Sequence, residues 1–297
     1  MKFKEPLIKA KFVSRPNRFI AVIEVNGEEH RSHLADPGRL KELLFPGVEL
    51  LVRKIKNIQK RKTKYSTIMV RFKGQLISLV STLPNQFVKD ELIKQRLPFF
   101  QKFNLVRPEV TIGKHRFDFL LKDEEGEDFV LEVKSVTLVK NEIAMFPDSV
   151  TLRGKNHVQA LKELVKKNQK TGVLFVCQRP DATSFQPMWQ RDDKFCYALH
   201  EAHKFGVKMW CITLSISENG IKGLKFTNIC KEEKKFSKKW MEHECEFMAA
   251  GVFEVQNNLK IKFYKDRNNI PWGKEANFDT LFYYGFASVD DDSGFKD

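Results

Sequence analysis

The run Gly172–Gln178, GVLFVCQ, leaves a strand no polar face: Val173 to Cys177 are all apolar. Such a run is too short for a buried helix and rich in residues that favour strands. A strand apolar on both sides must be covered on both, which is the environment of a parallel sheet flanked by helices. The neighbouring segments agree. Helical spacing opens near Thr151, with Val158, Leu161, Leu164 and Val165 on one face, and again after the capping residue Asp192, ending at Gly206. VKMWCITLSI then returns as a strand. Upstream, QFVKDELIKQRL, opened by Asn85 and limited by Pro98, reads as a helix, and VRPEVTI, RFDFLL and FVLEVKSVT as strands. Residues 81–230 are therefore expected to form a mixed α/β domain.

Residues 1–80 have a different rhythm. LIKAKFVSR and RFIAVIEV meet at a turn around Pro16 and Asn17, and Asn26-Gly27 is a hairpin dipeptide leading into EEHRSHL. DPGRLKELL is expected to be helical, with Asp36 as cap, Pro37 in the first turn and Leu40, Leu43 and Leu44 on one face. GVELLVRKI, TIMVRF and GQLISLV follow as strands, the last two joined at Lys73-Gly74. Five strands with a helix between the third and fourth is the order of an OB-type barrel. From Lys231 the pattern changes again, through the charge-rich KEEKKFSKKW and a hairpin-like FEVQNNLKIKFYKD to the acidic VDDDSGFKD. Residues 231–297 read as a C-terminal extension to which the sequence assigns no role.

Lys and Arg number 52 against 38 Asp and Glu, a net charge of +14. That excess favours a polyanionic partner, nucleic acid before an anionic membrane. No run approaches the roughly eighteen apolar residues of a membrane span, and MKFKEPLIKAKF lacks the apolar stretch of a signal peptide. No membrane partner is expected. The five cysteines are scattered and never spaced as CxxC, which points to reduced thiols in a cytoplasm and away from structural zinc. Cys211 reads as a small buried residue. Oligomeric state leaves no signature.

The stretch DFLLKDEEGEDFVLEVKSVT carries the chemistry. Strand side chains alternate, so Glu132 and Lys134 share a face. A hairpin centred on Glu125 sets Asp118 opposite Glu132. Two facing carboxylates repel and raise each other's pKa unless a cation joins them. Magnesium suits one or two carboxylates and leaves room for a phosphate. With the Val133 carbonyl as a third ligand, Asp118 and Glu132 are the expected metal-binding pair and Asp118, Glu132 and Lys134 the expected catalytic set.

Asp, loop, Glu-x-Lys resembles the PD-(D/E)xK nuclease superfamily, although no Pro precedes Asp118. HLADPGRLKELLFPG, RFDFLL, LEVKSVTL and FPDSVTLRGKNHVQAL, in that order and spacing, resemble the sugar fermentation stimulation protein family over residues 3–230. The resemblance implies an OB-like N-terminal domain joined to a nuclease-like domain. It also implies DNA binding with a regulatory role in sugar (maltose) metabolism. Residues 231–297 exceed members of ordinary length. Three functions stay open: a DNA-binding protein of little sequence specificity, a Mg2+- or Mn2+-dependent endonuclease acting on DNA or RNA, and a scaffold that uses the extension.

Further residues are drawn in by position. Arg153, Lys155 and His157 lie on the first turns of a helix, where amides and basic side chains suit phosphate. His33, Asp36, Gly38 and Arg39 form a compact group in which Arg39 is expected to reach DNA backbone. Asp148 is expected to shape its loop, and Glu91 and Glu109 are candidates for a further acidic ligand.

Overall fold

Two dipeptides set the register of the N-terminal strands. Asn26-Gly27 and Lys73-Gly74 have positive φ at both positions (52° and 82°, 47° and 76°), the turn geometry whose twist matches paired strands. They join β2 (Ile20–Val25) to β3 (Glu28–Leu34) and β5 (Tyr65–Phe72) to β6 (Gln75–Ser78). With β1 (Ile8–Asn17) and β4 (Glu49–Lys54) the ring runs β1-β2-β3-β5-β4-β1, closed by the parallel β3–β5 pair. This is the closed five-stranded OB barrel, filled by Phe12, Ile23, Leu34, Leu50, Val52 and Val70. The structure, a computed structural model, describes residues 6–56 and 62–227 and three two-residue strands, Ile261–Lys262, Glu275–Ala276 and Ser288–Val289. The hairpin expected over FEVQNNLKIKFYKD otherwise lies outside the described residues.

The helix expected over DPGRLKELL does not form. One turn remains, with the amides of Leu43 and Leu44 both donating to the Leu40 carbonyl, and Leu40 itself has φ +52°. The cause is competition for the backbone. Arg15 donates to the carbonyls of Asp36, Gly38 and Arg39, which a helix would need for its own bonds. The Asp36 carboxylate accepts Gly38 N–H at 2.8 Å and caps that turn instead. Leu40, Leu43 and Leu44 are still buried together in the barrel.

The second domain is built on one sheet. Its strands run β6, β14 (Lys208–Ser217), β12 (Lys170–Cys177), β9 (Asp128–Val136), β8 (His115–Lys122) and β7 (Asn104–Ile112), with β15 (Gly220–Thr227) also on β14. β9, β12 and β14 are parallel. A small sheet of β10 (Leu138–Lys140), β11 (Ile143–Phe146) and β13 (Ser184–Pro187) lies beside it. α1 (Leu83–Ile93) begins two residues earlier than Asn85 and covers one face with Phe87, Val88 and Leu92. α2 (Leu152–Val165) and α3 (Asp193–Lys204) cover the other with Val158, Leu161, Phe195 and Leu199. Asp192 ties the two starts together, one carboxylate oxygen capping α3 at Phe195 N–H and the other accepting Thr151 N–H. β12 is thus covered on both faces: Val173 and Phe175 point to one core, Leu174 and Val176 to the other.

Barrel and sheet are continuous. β6 does not close the barrel; it pairs with β5 and passes Leu76 to Ile216 of β14. Arg71 of β5 also bridges Glu218 at 2.9 Å.

Gly172 is a close-approach position. A Cβ there would lie 2.5 Å from Trp210 Cζ3 and 3.1 Å from the Lys208 carbonyl. Trp210 is held by Phe99, Phe100 and Phe129 around it. Gly172→Ala is expected to destabilise the chain by about 1–3 kcal/mol through overpacking, read as a lower urea midpoint.

Cys177, Cys196 and Cys211 are buried thiols, and burial pushes Cys177 up to about 12. Among the described residues no helix is long and apolar enough to cross a membrane.

Candidate metal and nucleic-acid site

The β8–β9 hairpin places the charged residues. Lys122 faces Asp128 and Phe119 faces Leu131, with Asp123 folding the loop by accepting Glu127 N–H at 2.7 Å. Pairing stops at Phe119. One step on, the Asp118 carboxylate replaces the ladder bond: Oδ2 accepts Val133 N–H at 2.7 Å. Its Oδ1 accepts from Asn85 Nδ2 at 2.5 Å, across from α1. The strands therefore part around Asp118, beside Glu132.

Glu132 is almost fully buried, at 3% exposure. Its Oε1 receives Lys134 Nζ at 2.5 Å and contacts His157 Nδ1 at 2.7 Å. Its Oε2 is buried and, among the described residues, has no hydrogen-bond partner. Burial would push this carboxyl up, but Lys134 and His157 outweigh it and hold it below the usual carboxylate range. Asp118 goes the other way. Burial first, and then the Glu132 charge, push its carboxyl up to about 6 against the pull of Val133 N–H, Lys134 and Asn85.

A buried acceptor with nothing to accept is costly, and two nearby carboxylates of opposite shift leave a charge deficit between them. The oxygens available there are hard donors, the class that magnesium, manganese and calcium take. Among the described residues no three His, Cys, Asp or Glu side chains gather as a ligand group. A cation here could rest on Asp118, Glu132 and main-chain oxygen.

The other sequence-singled residues divide. His157 reaches Glu132 from the second turn of α2. Arg153, one turn earlier on the same face, is exposed, while Lys155 lies on a different face. Asp148 shapes the domain junction by accepting Arg39 N–H at 2.9 Å, with the Arg39 side chain left exposed. Glu91 is buried and taken by Arg96, and Glu109 sits exposed near Arg116 at 3.8 Å. Neither contacts Asp118 or Glu132. Two contributors were not anticipated: Asn85, read as a helix cap, and His115, whose ring meets His157 edge-on at 5.8 Å.

Comparison with known proteins fits this architecture. Residues 13–79 match the SfsA N-terminal OB domain, and residues 82–220 the sugar fermentation stimulation protein RE domain. A sugar fermentation stimulation protein homolog of Alkaliphilus metalliredigens is 44% identical over 215 residues, 72% of this chain and 92% of that one. One from Clostridium novyi is 38% identical over 72% of this chain and 93% of its own. A solved structure of Pyrococcus furiosus SfsA in complex with Ca2+ superposes with a TM-score of 0.68 at 26% identity, covering 77% of this chain and 100% of that one. Barrel, sheet and matched domains together place this chain in the sugar fermentation stimulation protein family.

Proposed function

We propose that the chain binds DNA chiefly through its phosphates and, with a divalent cation at Asp118 and Glu132, hydrolyses its phosphodiester bonds. The observation that carries this is the unpartnered, buried Glu132 Oε2 beside an Asp118 carboxyl raised to about 6. The Ca2+ in the Pyrococcus furiosus relative supports a divalent ion in the fold. Bound there, a Mg2+ or Mn2+ ion would supply Lewis acidity towards a phosphoryl oxygen.

The chain's own groups have separable tasks. Asp118 and Glu132 would hold the cation. Val133 N–H points at Asp118, and in an extended strand the carbonyl of the same residue points to the same side, where it would serve as a third ligand. Lys134 keeps its ammonium where negative charge grows on a phosphoryl group. His157 fixes the Glu132 carboxylate from α2 and acts by positioning. Arg39 and Arg153 offer exposed cations for flanking phosphates, and among the described residues no recognition helix offers base readout.

Isothermal titration of the full chain with Mg2+, Mn2+ and Ca2+ tests the site. Saturable heat that disappears in Glu132→Gln is expected; no heat at millimolar cation removes the nuclease reading. DNA binding rests separately on the barrel and the +14 charge. Affinity for a labelled duplex should fall steeply with salt, about 10³-fold or more between 50 and 200 mM for six or more phosphate contacts. A flat salt profile would remove the phosphate-binding account.

A further inference from the structure

We propose that the β1–β2 turn is a binding site for an unpaired DNA base beside the nuclease centre, with Phe19 as stacking surface and Arg18 and Arg39 as phosphate contacts. This rests on the reading of the chain as a DNA-binding protein and names the form of DNA it prefers.

Phe19 is 45% exposed, and a lone exposed aromatic would mean little. Its backbone, however, is fixed on both sides. Phe19 N–H donates to the Asn17 side chain at 2.9 Å, and its carbonyl accepts Leu34 N–H at 2.9 Å. The Arg18 carbonyl is held by Arg15 Nη2 at 2.8 Å, and the Arg18 guanidinium lies over the Phe19 ring at 5.1 Å. An exposed ring on a fixed backbone, beside a cation, is the arrangement on which a base stacks while its phosphate meets the charge.

The same Arg15 guanidinium joins this turn to the loop at Asp36–Arg39. Its Nη1 donates to the carbonyls of Gly38 at 2.6 Å and Arg39 at 2.7 Å. The backbones of Arg18 and Arg39, whose side chains are exposed, are therefore held by one half-buried guanidinium. The loop is then locked onto the second domain. Asp148 takes Arg39 N–H, and the Asp36 carboxyl has the Thr137 hydroxyl among its neighbours. Thr137 follows the end of β9, three residues beyond Lys134, roughly 10 Å at strand rise. Gly38 makes the lock possible: a Cβ there would fall 2.0 Å from Asp148 Oδ2 and 2.9 Å from Asp36 Oδ1. Contacts thus link the nuclease strand through the Asp36–Arg39 loop and Arg15 to the Phe19 turn, and a strand bound at both ends follows that line. A paired base has no free face for that ring, whereas an unpaired one does.

Anisotropy with the full chain in chelator, where nothing is cut, tests this on three labelled probes. They are a single-stranded oligonucleotide, a blunt duplex, and a duplex with a single-stranded overhang. Phe19→Ala should weaken the single strand and the overhang about tenfold and leave the blunt duplex unchanged. Phe19→Trp should retain or tighten both. Arg18→Ala should weaken all three probes through lost phosphate contact. The proposal is overturned if Phe19→Ala binds all probes like the unmutated chain, weakens them all equally, or is not rescued by Trp. Because no cation is present, the outcome is independent of whether Asp118 and Glu132 bind metal.

Discussion

Lys134→Ala should lose about 10²–10³-fold of any cleavage rate while binding divalent cation as tightly as the unmutated chain or more so. The ammonium sits 2.5 Å from Glu132 Oε1, so it competes with a cation for that carboxylate. Removing it relieves the competition and deletes the charge that meets the transition state. Stability should move in the opposite sense. Both partners are buried, at 12% and 5% side-chain exposure, and breaking such a pair costs about 3–5 kcal/mol. His157 still contacts the same oxygen, which keeps the loss near the lower end. Saturating Mg2+ or Mn2+ should restore much of it, because a ligand of the folded state stabilises by mass action. Thermal unfolding with and without cation, alongside a cleavage assay, reads all three effects. A variant that still cuts, or that no longer binds cation, contradicts the role given to Lys134.

Asp118→Asn should make the cation-free protein more stable at pH 8 and nearly indifferent to pH at this position. The unmutated carboxyl is raised from 3.8 to about 6 in the fold. Between those values the folded state keeps a proton that the unfolded chain has released. Stability from this group is therefore full below about pH 4 and falls as pH rises towards 6. A two-unit shift would be about 3 kcal/mol, and the half-buried position of Asp118 lowers it to ~1–2 kcal/mol. Asn keeps an acceptor for Val133 N–H, and Asn85 can flip its amide to meet the new NH2 group. Asp36, also raised to about 6 by burial and by Asp148, slopes the same way in both proteins. The difference between the two urea-midpoint profiles from pH 5 to 8, in chelator, isolates Asp118. Parallel profiles would remove the repulsion argument. Cation binding by the variant should be lost at every pH.

The features legible in the sequence are those set by local rules. Val173–Cys177 announced its two covered faces because burial on both sides excludes polar residues there. Asn26-Gly27 and Lys73-Gly74 announced their hairpins because few residue pairs accept two positive φ values. The length of DEEGED brought Asp118 beside Glu132, since register follows from the turn. The helix expected over DPGRLKELL fails for a non-local reason: Arg15, some twenty residues earlier, claims its carbonyls. Asn85 reads as a cap because its type favours caps, while its partner Asp118 lies 33 residues away. Contacts at that separation leave no periodicity behind. Gly172 was equally silent, as nothing nearby in the chain foretells the Trp210 ring.

Among the described residues, the run of hydrogen bonds from barrel through β6 into β14 leaves no hinge between barrel and sheet. Rocking one half against the other would have to break the Leu76–Ile216 bridge, the Arg71–Glu218 pair, and the Arg39 and Asp36 contacts together. The two halves thus behave as the fixed jaws of a gauge, set at one opening. Any polymer laid across both must supply the bending itself, so its flexibility, more than its lettering, decides what fits.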